Sequence, residues 1–243
     1  MKLPVLTALD MRRAIARKEL QAMEIVQDAL DKLHAAEPAL NAFVETMDDF
    51  ALEAARVVDR AVISGETPGP LAGIPLSVKD VISVRGFRTT YGSLTDAGFV
   101  AEADAPVVER VRKAGACIIG KTTTTEFAYK GDRSDSPLTG VTRNPWNLEK
   151  TAGGSSSGMA ASVSAGITPF GIGTDEGGSV RIPSSFCGLF GIKAQFGRVP
   201  VYPPTPTPTL SHVGVASRSV RDAALLLQAI SGFDERDPVS LTQ

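Results

Sequence analysis

The chain has 243 residues, 43% of them hydrophobic, with a formal net charge of −2; it can bury a sizeable core and reads as one large domain. So small a charge excludes a general attraction to nucleic acid or to an anionic membrane surface. The N-terminus MKLPVLTALDMRR lacks an apolar h-region, and no window approaches the run of about 18 apolar residues that a membrane span needs. Neither secretion nor spanning is therefore expected.

In chain order, Thr7 to Asp10 has the pattern that caps a first helix. Met23, Val26, Leu30 and Leu33 form the stripe of a second helix, which Pro38 is expected to end. His34, near that end, suits a contact with the helix dipole better than chemistry. A short strand is expected over 41–46 and an alanine-rich helix over 47–64. Leu71 to Asp80 reads as a turn feeding a buried strand that ends in Lys79, a residue type seldom buried without a role. Its ordinary alternative is a lysine snorkelling to the surface beside Asp80.

Asp104 is expected to cap a helix carrying Val107, Val108, Val111 and Ala114, with a short strand after it at 116–119. This helix-then-strand rhythm predicts an α/β sheet. Gly115 to Thr122 matches G-x-x-x-x-G-K-[ST] in letters, but a helix precedes it and its interior is the strand, so it is rejected as a phosphate loop. Pro200, Pro203, Pro204, Pro206 and Pro208 make 199–209 an extended loop. Ser219 to Asp222 caps a last helix with Val220, Ala223, Leu227 and Ile230 on one face, and Gly232 closes it. The two cysteines, Cys117 and Cys187, are flanked by apolar residues and read as core thiols in a reducing compartment, which points to the cytoplasm.

The densest concentration of glycines and hydroxyls lies at 151–193. Two Gly-Gly-Ser triplets end at Ser155 and Ser179, each ahead of a predicted helix (156–165 and 179–187), with a short apolar strand between them at 167–173. Backbone N–H groups should be free at such turns. With only two histidines in the chain, a Ser-His-Asp relay would rest on His212 alone, and no His or Cys pair has the spacing of a zinc site. No cofactor and no metal are called for.

Lys79 is the remaining base, since burial disfavours its charged form and brings its pKa toward neutrality. Ser155 would relay a proton between Lys79 and Ser179, the nucleophile, while the N–H groups of Glu176, Gly177, Gly178 and Ser179 face a developing oxyanion. By composition alone, Ser156 and Ser157 are alternatives for the relay.

The segments GIPLSVKD (73–80), GKTTTTEFAY (120–129), RNPWN (143–147), GGSSSG (153–158) and GTDEGGSVRIPSSFCGLFGIK (173–193) together resemble the amidase signature family. The resemblance covers about residues 5–238. It implies an α/β fold, a mixed β-sheet layered by α-helices, and a Ser-cisSer-Lys triad falling on Lys79, Ser155 and Ser179. It prefers the first serine after the double glycine as the relay, with Asp175 and Arg181 bracing the nucleophile loop. Glu176 departs from the family's usual small or apolar residue. Members are also about twice this long, so residues 1–243 are expected to form one amidase-type unit without its C-terminal half.

The preferred expectation is an amidase that hydrolyses a small carboxylic amide to acid and ammonia or amine through an acyl-Ser179 ester. The A subunit of a glutamyl-tRNA(Gln) amidotransferase is the nearest alternative, and a non-catalytic fragment comes from a different class. Neither nucleic acid nor membrane is an expected partner. A homo-oligomer stays open, because a shortened sheet would expose an apolar edge.

Overall fold

The computed structural model describes residues 5–242; residues 1–4 and 243, the ends of the expected 1–243 unit, lie outside the described residues. Helix α1 (Ala8–Ala16) starts where Thr7 accepts the Asp10 N–H at 3.1 Å, as the capping pattern requires. In α2 (Ala22–Leu40), Val26, Leu30 and Leu33 are buried. Pro38 does not end this helix. A proline so near the C-terminus forfeits a single ladder bond, and the helix runs on to Asn41 in the left-handed region. His34 faces Asp48, with Nε2 2.5 Å from Oδ2, so a carboxylate on the next helix is its partner.

Strand β1 (Phe43–Thr46) and helix α3 (Asp48–Ile63) follow, then the fully buried β2 (Pro75–Lys79). Helix α4 (Pro106–Lys113) begins after Ala105 and has no side-chain cap. Asp104 instead turns back to accept the Arg85 N–H at 2.7 Å and pairs with Arg112. The rejected phosphate-loop segment is strand, β3 (Cys117–Thr122). Two short ribbons come next, β4 (Asp135–Ser136) with β5 (Gly140–Val141), and β6 (Arg143–Asn144) with β7 (Asn147–Thr151). The Gly-rich region supplies α5 (Ser157–Ser164), β8 (Phe170–Thr174), the short α6 (Arg181–Phe186) and β9 (Phe190–Lys193). Strand β10 (Val213–Ser217) and α7 (Val220–Ile230) follow, the latter capped by Ser219 accepting the Asp222 N–H. The apolar face of α7 is Ala223, Leu226 and Ile230, while Val220 at its start is exposed.

Six strands form one mixed sheet in the order β1-β3-β2-β8-β10-β9, with β2 parallel to both neighbours and the outer pairings antiparallel. Helices α4 and α7 pack on one face through a cluster that includes Leu76, Val78, Val107, Val111, Ile172 and Leu226. Helices α2, α3 and α5 cover the other with a cluster that includes Leu30, Ala55, Ile119 and Ala160. This is the α/β architecture expected, a mixed sheet between helical layers. The parallel strands β2 and β8 end side by side, and in open α/β sheets ligands gather outside the carboxyl ends of strands.

Candidate active site

Successive strand residues face opposite sides of a sheet. In β2, Leu76 and Val78 enter the α4/α7 core, so Ser77 and Lys79 face α5, and the Ser77 hydroxyl lies 3.2 Å from that of Ser162. Lys79 is completely buried and does not snorkel. Alternation puts it on the opposite face from Asp80, whose partner is Lys121 of β3 at 3.0 Å, an ion pair in which Oδ1 takes no aligned hydrogen bond. Lys121 can reach Asp80 because β3 is irregular between Ile118 and Gly120, which sets Lys121 opposite Val78.

Lys79 Nζ donates to Ser155 Oγ at 2.6 Å and to Thr174 Oγ1 at 2.8 Å. Burial pulls its pKa down to about 7, and the carboxylates of Asp175 and Glu176 hold back part of that fall. Ser155 follows Gly154 through a cis peptide bond. A Cβ at Gly154 would stand 2.3 Å from the Arg133 carbonyl oxygen, so only glycine fits there. The other two serines of the triplet are turned elsewhere. Ser156 Oγ points at the Thr174 carbonyl (3.3 Å) and Ser157 Oγ at the Ser155 carbonyl (3.4 Å), while Ser155 alone bonds Lys79.

The second Gly-Gly-Ser turn lies against the first, for the Ser156 N–H donates to the Ser179 carbonyl at 3.1 Å. Asp175 organises this loop. It accepts the N–H groups of Gly178 (2.7 Å), Val180 (3.1 Å) and Arg181 (3.2 Å), and the Arg181 guanidinium closes on both its oxygens at 2.9 and 3.0 Å. Burial works to raise the Asp175 carboxyl, but the guanidinium and these N–H groups outweigh it and hold the group well below the usual carboxylate range. This network ties the loop to Asp175 and Arg181. It also corrects the donor set proposed for an oxyanion, because the Gly178 N–H is consumed by Asp175. Among the described residues no acceptor takes the N–H of Glu176, Gly177 or Ser179.

Three contributors had no role in the site assigned from the sequence. Thr174 shares Lys79 with Ser155, and Lys193 Nζ donates to the Glu176 carbonyl at 2.5 Å. The RNPWN segment fastens the far end of α6. Asn144 Nδ2 donates to the Phe186 carbonyl at 3.0 Å and Trp146 Nε1 to the Cys187 carbonyl at 2.9 Å. A histidine triad is not formed, since His212 Nδ1 lies 2.7 Å from the Leu210 carbonyl and its ring packs on Phe196. Among the described residues no group of three or more His, Cys, Asp or Glu is placed to hold a metal, and no helix is long and apolar enough to cross a membrane. Both cysteines are unpaired, and burial pushes their thiols up to about 12.

A buried lysine of lowered pKa bonded to a serine, beside a second serine on a loop with free N–H groups, can take a proton from a nucleophilic hydroxyl and stabilise an oxyanion. The sequence profile of the Amidase family matches residues 24–243. The chain belongs to that family. The glutamyl-tRNA(Gln) amidotransferase of Carboxydothermus hydrogenoformans has an A chain that is 42% identical over 241 residues, 99% of this chain and 50% of the relative. Among solved structures, native peptide amidase from Stenotrophomonas maltophilia superposes with a TM-score of 0.88 at 33% identity, covering 98% of this chain and 50% of that one. A chain of a vestigial protein complex bearing on the origins of an s-triazine catabolic enzyme reaches a TM-score of 0.93 at 34% identity, covering 97% and 52%. This member therefore spans about half the length of the amidase relatives it matches.

Proposed function

We propose that the chain carries the acyl-transfer centre of an amidase that hydrolyses a small carboxylic amide, with Ser179 as nucleophile, Ser155 as proton relay and Lys79 as base. The observation that carries this reading is the 2.6 Å bond from a buried Lys79, of pKa about 7, to Ser155 beside the Ser179 loop. The Ser179 hydroxyl attacks the amide carbon and its proton passes through Ser155 to neutral Lys79. The N–H groups of Glu176, Gly177 and Ser179 take the oxyanion. The proton then returns to the leaving nitrogen, the C–N bond breaks, and water releases the acid from the ester by the reverse relay. The two unpaired buried cysteines suit a reducing compartment, and the cytoplasm is the location that goes with this proposal.

Treatment with a fluorophosphonate, followed by peptide mass spectrometry, tests the assignment. An adduct on Ser179, absent from Ser179→Ala, is expected; labelling elsewhere, or none, would sink it. The identity to the A chains of amidotransferases favours a second reading, in which the centre liberates ammonia from glutamine within a complex of several different chains. Glutaminase activity that arises only with those partner chains would select that reading. Sedimentation distinguishes both from a self-associating homo-oligomer.

A further inference from the structure

A cavity of about 300 Å3 opens at Thr174, where β8 ends. Ile82, just after β2, and Val107 of α4 wall it on one side, and Tyr202, Pro203, Pro204 and Pro206 wall it from the proline-rich segment. Thr174, which accepts the Lys79 hydrogen bond, and Glu176 of the nucleophile loop join this space to the reacting centre. The rings of Tyr91 and Phe127, stacked with centroids 6.5 Å apart, add an aromatic surface to the lining.

The charge in this cavity is one-sided. Asp96 and Glu176 line it, while among the described residues no Lys, Arg or His does. Each carboxylate is held by a hydroxyl rather than a cation: Thr95 donates to Asp96 at 2.9 Å, and Thr207, within the proline-rich segment, donates to Glu176. The phenol of Tyr91 feels the same field, being raised by burial first and by Asp96 and Asp80 after it. An anion entering such a space would meet no counter-charge in the lining and would face two like charges. An apolar chain or ring loses nothing there, and an ammonium group gains.

We infer that, given the amidase reading above, this cavity receives the acyl side of amides whose far end is apolar and either neutral or cationic, that it rejects amides ending in a carboxylate, and that Glu176 sets this selectivity. Free glutamine, whose far end carries both an α-ammonium and an α-carboxylate, falls in neither class.

Three fluorophosphonates of equal chain length, ending in methyl, ammonium or carboxylate, test this on the full chain. The methyl and ammonium probes are expected to label Ser179 about tenfold or more faster than the carboxylate probe, as like-charge juxtaposition predicts. Glu176→Gln should shrink the carboxylate handicap by roughly threefold or more. Equal rates for all three would overturn the selectivity while leaving the catalytic reading intact. If nothing labels, the catalytic reading fails instead, and calorimetry of pentanamide, 5-aminopentanamide and glutaramic acid with Ser179→Ala still reads the cavity. Weaker binding of glutaramic acid than of the other two supports the inference, and equal or stronger binding overturns it.

Discussion

Lys79 and Lys121 sit on adjacent parallel strands and are both fully buried, yet their surroundings differ in kind. Lys121 lies 3.0 Å from a carboxylate, that of Asp80, and donates to the Arg88 carbonyl at 2.7 Å and the Thr89 hydroxyl at 3.0 Å. Lys79 bonds only hydroxyls, Ser155 and Thr174, and feels Asp175 and Glu176 through space. Burial lowers the pKa of both lysines, but for Lys121 the direct contact with Asp80 works against it. Asp175, for its part, is committed to Arg181 and the loop N–H groups. A buried lysine with a carboxylate in contact is a structural ion pair. One whose contacts are hydroxyls can give up its proton and act as a base.

The sharpest way to break that contrast is to remove each side chain in turn. Lys79→Ala should slow acylation of Ser179 by about 10²–10⁴-fold, the range for a lost general base, with the fold intact by circular dichroism. Wild-type labelling rates in this variant would remove Lys79 from the mechanism. Lys121→Met should act on stability, costing about 3–5 kcal/mol in denaturant unfolding because it strands Asp80 as an uncompensated buried charge. Adding Asp80→Leu to that variant should recover part of the loss, and no recovery would mean that the ion pair is not what Lys121 contributes.

The pH dependence sharpens the same comparison. Only neutral Lys79 accepts a proton, so the acylation rate should rise with pH to half its maximum near pH 7, falling about tenfold per unit well below it. A flat acid limb would contradict the assignment. The linked stability has a definite sign. Unfolded Lys79 keeps its proton up to about pH 10.4, while folded Lys79 releases it near 7. Between those values the unfolded state binds the extra proton, so this group's contribution to stability rises with pH. Wild type should gain stability relative to Lys79→Met over that window, and parallel pH profiles would show that the lowered pKa is absent.

Much of this candidate centre was legible in residue order, and the illegible parts share a cause. Gly-Gly-Ser turns are local, so Ser155 and Ser179 announced themselves, as did the lysine ending an apolar strand. Pairings made across strands did not. Asp80 follows Lys79 in sequence, but strand alternation points them apart, and the irregularity at 118–120 that presents Lys121 to Asp80 leaves no mark on the hydrophobic pattern. The Gly178 N–H looked as free as its neighbours, because a donor aimed back at Asp175 depends on loop geometry rather than composition. The α/β class and most helices followed from periodicity, whereas β9 and β10, short and interrupted by Gly191 and Gly214, carried too little signal to be drawn in advance.

Thr174 offers the finest test of what hydroxyl contacts do for Lys79. It sits where β8 gives way to the Ser179 loop, and its Oγ1 accepts a hydrogen bond from Lys79 Nζ at 2.8 Å. An acceptor for the ammonium favours the charged form, so this contact must hold the lysine's pKa higher than burial alone would leave it. Thr174→Val keeps the shape and removes the acceptor. A hydrogen bond has a net worth of roughly 0.5–1.5 kcal/mol, and one pKa unit corresponds to about 1.36 kcal/mol. The acid limb of acylation should therefore move down by roughly 0.4–1 pH unit, while the plateau rate at high pH, where Lys79 is neutral in both proteins, changes little. An unmoved limb would show that Thr174 leaves the Lys79 proton indifferent, and a collapsed plateau would place its hydroxyl in the relay itself.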